Sequence, residues 1–257
     1  MRTLLLLLLS STAYGQLSLA AISACAGNNT TSTTCAVGVV AVDKLIVVGV
    51  GAIGGSGTTT VSDGVTANGE SSAYTQIGTD STTGGVMSSL WYKVSKGTSS
   101  RTLTIATGGA ARSWVITPNV VAGANTTTPI DQNFKNVIGS GASVRCPATG
   151  SDFTRTGNEM IIGTATTNAS GNPVGGGASP GFTDAGSTGT FTIASYQPNG
   201  NCCTAGTSSY QYITSGTSYH WTIGFTSGST GFTFACSAVS IKEAPAVARR
   251  RVIGGDE

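Results

Sequence analysis

His220 is the single histidine of the chain, so a Ser-His-Asp relay would have to run through it. It lies within an alternating stretch in which Tyr219, Trp221, Ile223 and Phe225 share one face and His220 takes the other. That is the placing of a sheet-face side chain rather than of a general base. Glycoside hydrolysis is the next chemistry to test, because it needs two carboxyl groups about 5–10 Å apart. Asp63, Glu70, Asp80, Glu159 and Asp184 are the candidates, and no spacing singles out two of them. Aspartate in a loop, as at Asp63-Gly64, is a turn former by default. No Gly-rich segment carries the Lys-Ser/Thr pair of a phosphate loop, and the GVGAIGG run from Gly49 is followed by no helical pattern. The sequence therefore offers no catalytic residue and calls for no cofactor.

The six cysteines, Cys25, Cys35, Cys146, Cys202, Cys203 and Cys236, suit disulfides better than metal. There is no Cys-x-x-Cys, and one histidine is too few for a usual zinc set. Cys25 and Cys35 flank a polar turn and are expected to clip a hairpin. Vicinal Cys202 and Cys203 bond each other only with strain. Cys146 and Cys236 are therefore each expected to take one of that pair, in an order left open. An exported chain fits this cysteine usage. MRTLLLLLLSSTAYGQ has a positive start, a short leucine core and small residues before Gln16, so residues 1–15 read as a signal peptide. The leucine run is too short for a transmembrane anchor. Ile22-Ser23-Ala24-Cys25 has the look of a lipobox, but the polar interruption ahead of it argues against lipidation.

Only 9% of residues are charged, against 37 glycines and roughly 70 serines and threonines. Strands, turns and a surface of hydroxyls follow from that composition. Setting aside Arg2, the Arg249 to Arg251 triplet, Asp256 and Glu257, the body is electrically balanced, which leaves no footprint for nucleic acid. Planar aromatics stack on sugar faces, and Trp91, Tyr210, Tyr212 and Tyr219 are the candidates for such a platform, with the first three as the ligand-binding set.

The elements that would position these residues are strands. KLIVVGV from Lys44 is a nearly continuous apolar run and reads as a buried central strand. Residues 88–121 read as three strands separated by Gly-containing turns, with Leu90, Tyr92 and Val94 on one face and Trp91 and Lys93 on the other. An echo follows about 120 residues later at 208–241, and EMIIGT from Glu159 echoes KLIVVG. In the echo the apolar phase slips at Ala238-Val239, where a bulge is expected. The chain thus reads as an all-β, antiparallel two-sheet β-sandwich at residues 16–244, built from two pseudo-repeated halves. A mobile basic tail is expected at 245–257.

The succession KLIVVGV, VSDG, AYTQIG, SSLWYKVS, LTIATG, WVITPNV, EMIIGT, SSYQYI, WTIGF and AVSIKEA resembles the Thr/Gly/Ser-rich β-sandwich modules of exported bacterial surface proteins and of phage tail and virion proteins. The resemblance implies a jelly-roll-like sandwich with an extracellular binding or assembly role, and it carries over no catalytic residue. The expected function is a non-enzymatic, secreted structural or adhesive protein whose partner is itself, as a homo-oligomer, filament or surface-layer subunit, or a surface glycan. A carbohydrate-binding module or a virion protein is the alternative.

Overall fold

The computed structural model describes residues 16–54, 57–169, 182–184, 191–199, 203–216, 218–225 and 232–245. The leader, Cys202 and most of the Gly/Pro loop at 168–181 lie outside the described residues, as does the tail from residue 246. The first half of the chain supplies β1 (Ser18–Ala21), β2 (Cys25–Thr30), β3 (Ser32–Val40), β4 (Leu45–Ile53), β5 (Thr59–Ser62), a 3-10 turn at Ala67–Gly69, β6 (Thr75–Thr83), β7 (Val86–Val94), β8 (Ser99–Thr107) and β9 (Arg112–Ala122). The second half supplies β10 (Ile130–Gly141), β11 (Ser143–Cys146), β12 (Phe153–Thr154), β13 (Glu159–Ala169), β14 (Phe182–Asp184), β15 (Thr192–Asn199), β16 (Cys203–Ile213), β17 (Ser218–Tyr219), β18 (Trp221–Phe225) and β19 (Phe232–Lys242).

The protein is all-β, and its sheets are antiparallel. The large sheet of the first half runs β1-β9-β4-β7-β6, with β2 also pairing β9, and a three-stranded sheet β3-β8-β5 covers one face of it. The second half has a large sheet β10-β19-β13-β16-β15 and a three-stranded sheet β11-β18-β14, with the small pair β12-β17 beside them. The two large sheets lie face to face: β4 meets β13, β7 meets β19, β9 meets β16, and β6 meets β10. This differs from the expected single two-sheet sandwich, because there are three cores instead of one. The first lies between β3-β8-β5 and the first large sheet and includes Ile46, Val48, Trp91, Leu103 and Trp114. The second holds Ile161, Phe191, Trp221, Phe234 and Cys236. The third lies between the large sheets and holds Leu45, Val47, Leu90, Met160, Ile162, Val239 and Ile241.

The expected central strand is β4, where Ile46, Val48, Val50 and Ala52 enter the first core while Leu45 and Val47 enter the third. A strand buried on both faces reads as an unbroken apolar run. The same cause accounts for the phase slip in β19. Ala238 packs in the second core and Val239 in the third, and the register against β13 runs through both without a shift. The irregularity lies one strand over, where extra residues of β10 sit between Ile130 and Asn133 and between Ile138 and Gly141.

The face between the large sheets changes character along its length. Beyond its apolar end it is lined by Gly49, Gly51, Ser88, Thr117 and Asn119 on one side and Thr164, Thr166, Ser208 and Ser237 on the other, with each of these hydroxyl and amide side chains almost fully buried. Hydrogen bonds cross it: Ser88 Oγ donates to Thr164 O at 3.2 Å, Ser237 Oγ to Ser88 O at 3.1 Å, and Asn119 Nδ2 to Ser208 Oγ at 3.1 Å. A Cβ on Gly51 would come within 2.0 Å of Thr166 Oγ1, and one on Gly49 within 2.5 Å of Thr164 Oγ1. Glycine is required here for close approach of the backbones, not for turning. Many of the hydroxyls expected at the surface therefore lie inside, where short side chains let two sheets meet; Ser88, Ser237 and Asn119 satisfy their polar atoms across the face, while Thr166 Oγ1 is buried without a hydrogen-bond partner.

Cys25 and Cys35 form the expected disulfide, joining the first large sheet to its small sheet and occupying the thiol that a lipid would need. Of the bridges expected from Cys146 and Cys236, the partners Cys202 and the Cys203 side chain lie outside the described residues. Both Cys146 and Cys236 are free and buried in the second core, because β11 and β19 face each other there.

Candidate functional site

Among the described residues the fold brings together three groups of chemistry-bearing side chains, and a cleft opens beside them. The first group is at one end of the first core. Asp63, just after β5, and Glu70, after the 3-10 turn, meet Lys93 of β7 and Arg101 of β8. Lys93 Nζ lies 2.7 Å from Asp63 Oδ1 and 2.9 Å from Glu70 Oε1. Arg101 Nη1 lies 2.7 Å from Asp63 Oδ2 and 2.5 Å from Glu70 Oε1, while its Nη2 donates to Glu70 Oε2 and Ser95 Oγ. Tyr74 donates its hydroxyl to Asp63 Oδ2 at 3.1 Å, and Lys93 sits over the Tyr74 ring. All four charged side chains are at most 5% exposed. Burial would raise Glu70, but the hydrogen bonds from Arg101 and Lys93 overcome it and hold the carboxyl at about 2. Burial raises the Tyr74 phenol further, with the Asp63 charge beside it. Two cations on two carboxylates make a neutral, closed knot. Asp63 also accepts Val65 N–H at 2.9 Å, so the expected turn role holds alongside the ion pair. A catalytic carboxyl pair needs room for substrate between its members; here a guanidinium fills that space.

The second group joins Asp131 of β10, Thr156, Glu159 of β13 and Lys242 of β19. Thr156 Oγ1 lies 3.0 Å from Asp131 Oδ2 and 2.6 Å from Glu159 Oε1, and Lys242 Nζ lies 2.9 Å from Asp131 Oδ1. Burial works to raise Asp131, but Lys242 and Thr156 outweigh it and hold the carboxyl below the usual range. Asp131 escaped the sequence reading because its partners come from strands far along the chain. Glu159 is 2% exposed and again faces no cleft.

The third group contains Ser218, Asp152, His220 and Arg145, and it is partly open to solvent. Its geometry is not that of a triad. Ser218 Oγ donates to Asp152 Oδ2 at 2.6 Å, whereas His220 Nδ1 is 3.8 Å from Asp152 Oδ1. The serine is therefore held by the acid and not by the base, and Arg145 pairs with the same carboxylate. Burial pushes Asp152 up, but Ser218 and Arg145 more than reverse this and lower it. The Asp184 side chain lies outside the described residues. No group of His, Cys, Asp and Glu suited to a metal ion occurs among the described residues.

The expected aromatic platform is not assembled. Trp91 is 6% exposed, packs in the first core and donates its indole N–H to Ser89 Oγ at 2.9 Å. Trp114 and Trp221 are fully buried, and Tyr219 is buried in the second core. Tyr210 and Tyr212 are half-buried against the core between the large sheets, and the Tyr212 hydroxyl reaches Glu243 at 3.5 Å. Alternation assigned Trp91 its face correctly, but that face is covered by the three-stranded sheet.

Two further accessible features lie at sheet edges. A cleft of 310 Å³ opens where β6 meets β10, lined by Ile77, Gly78, Thr79, Asn133, Phe134 and Lys135 together with Leu90, Ser237 and Ala238. Lys135 Nζ bonds Thr79 Oγ1 at 2.6 Å across its rim. Asp80 stands nearby, accepting from Gln76 at 2.5 Å, and burial raises its carboxyl. The second is the outer edge of β3, which among the described residues pairs only β8. Val39 on it is 74% exposed, and Val42 in the following turn is 46% exposed. No helix among the described residues is long and apolar enough to cross a membrane. The chain matches no family model, no curated protein and no solved structure.

Proposed function

We propose that the protein is a non-enzymatic, exported structural or adhesive subunit that assembles with copies of itself through its sheet edges. In this reading each half is a jelly-roll-like sandwich and the pair arose by duplication. Strand orders β9-β4-β7 and β19-β13-β16 at the centres of the large sheets, and β3-β8-β5 and β11-β18-β14 in the small ones, support it. The observation that carries the assembly role is the unpaired β3 edge with Val39 and Val42 exposed on and beside it. Unpaired strand edges are templates for pairing with another chain, and soluble monomers normally blunt them with charge. Here β3, STTCAVGVV, carries no charged residue. The test is size-exclusion chromatography with light scattering, plus electron microscopy, on the full chain and on Val39→Lys. The expected result is concentration-dependent oligomers or ordered polymer, lost in the variant. Monomer at every concentration for both proteins overturns the reading.

Glycan binding is the second reading, and the cleft beside Lys135 is what favours it. Its polar rim of Thr79, Asn133 and Lys135 suits a single sugar ring, in a small cleft of the size that small ligands occupy. A glycan array with hits that vanish in Lys135→Ala supports it; an empty array removes it.

A further inference from the structure

Cys146 lies on β11 of a three-stranded sheet and Cys236 on β19 of the large sheet that it covers. Both are fully buried in the second core, where Cys146 Sγ lies 3.5 Å from Phe134 O on β10, two residues before the Asn136 that stands opposite Cys236. Cys236 Sγ also lies 3.8 Å from the carbonyl oxygen of Arg145, the residue just before Cys146. Neither thiol has work to do in any group described above. The first half supplies a precedent at the matching station. Cys35 of β3 stands opposite Leu103 of β8 and is bonded to Cys25, which stands opposite Ile116 of β9. Cys146 of β11 stands opposite Trp221 of β18, and Cys236 of β19 stands opposite Asn136 of β10. In one half, then, the large-sheet cysteine is on the edge strand and its cross-strand neighbour is isoleucine. In the other the cysteine has moved one strand inward and asparagine holds the edge place. Asn136 Nδ2 reaches the same small-sheet strand, donating to Arg145 O at 2.7 Å.

We infer that Cys146 and Cys236 close a second disulfide between large and small sheet, the counterpart of Cys25–Cys35 shifted by one strand. The oxidant is a low-molecular-weight or protein disulfide. One thiolate attacks it, forming a mixed disulfide and expelling one thiolate; the other cysteine, losing its proton, displaces the second. The two cysteine thiols are thereby oxidised to one Sγ–Sγ bond and the oxidant is reduced to two thiols. Burial, with Cys146 alongside, pushes the Cys236 thiol well up, so little thiolate exists once the core has closed. The bond therefore forms while the chain folds and is afterwards shielded from reductant.

The experiment is to refold the reduced full chain in a buffer of reduced and oxidised glutathione, then denature it, alkylate it without reductant and map the digested peptides by mass spectrometry. The expected result is a linked peptide pair containing Cys146 and Cys236 beside the pair containing Cys25 and Cys35. Alkylated Cys146 and Cys236 in a sample whose Cys25–Cys35 bond is closed overturns the inference, as does a link from either to Cys202 or Cys203. A second readout is Cys236→Ser, which is expected to release one additional titratable thiol per denatured chain; a count that instead falls by one, as it must when both thiols are unbonded, overturns the inference equally.

Discussion

Arg101 is the residue on which the first half's charged knot turns, because its guanidinium meets both carboxylates while only 1% exposed. Removing one partner from a buried ion group strands the others without compensation, at a cost of about 3–5 kcal/mol. Arg101→Met is expected to lose stability of that order in urea unfolding. The knot also sets a pH dependence. Glu70 is held at about 2 against an ordinary 4.5, so between these values the unfolded chain binds more protons than the folded one. Its contribution is full above pH 4.5 and is lost as pH falls through about 2. Asp131 and Asp152, also held low, act in the same direction. Acid titration followed by circular dichroism is expected to show stability falling across that window, and Glu70→Gln to flatten the fall while lowering stability at neutral pH. Asp63 and Glu70 were visible in the sequence as turn residues and loose acid candidates. Their partners Lys93 and Arg101 were not, since strand alternation tells which way a side chain points and not what it meets.

At the scale of elements, the contact between β4 and β13 decides how the two large sheets meet. Gly51 opposes Thr166 and Gly49 opposes Thr164, so one sheet supplies space and the other fills it. Overpacking such a contact costs about 1–3 kcal/mol. Gly51→Ala is expected to destabilise by that amount, and Thr166→Gly in the same chain to recover part of it, a non-additivity that a double-mutant cycle in urea measures. Strands β7, β8 and β9 illustrate what local pattern conveys. Their existence and approximate bounds follow from alternation and turn residues. Yet β7 and β9 both pair β4, and β8 crosses to the other sheet, so no two of the three pair each other, and only β7 pairs a sequence neighbour, β6. Pairing is settled by which apolar faces bury each other, a long-range matter.

For the whole molecule, three cores in a stack leave the free edges as the main surfaces for association. Val39 and Val42 expose apolar area with no internal use, and β3 has hydrogen-bonding groups along its outer side. Val39→Lys is expected to leave the unfolding transition within about 0.5 kcal/mol of the parent, as surface substitutions do. Because lysine on an edge strand opposes pairing, the same change is expected to abolish assembly in light scattering. Retained assembly with retained stability would move the interface elsewhere, with the β10 edge and its exposed Val137 the next to examine.

Composition and alternation by themselves determined the all-β class, the double burial of β4, the faces of Leu90 and Trp91, and the Cys25–Cys35 clip, because each depends on residues close along the chain. The tertiary structure alone decided that serines and threonines line an internal face, that Trp91 is covered, that Asp63 and Glu70 are locked in a neutral knot with Lys93 and Arg101, and that Cys146 faces Cys236. Those outcomes depend on which sheet lies over which. A hydroxyl or an indole carries the same signature in the sequence whether the opposite layer is water or another strand.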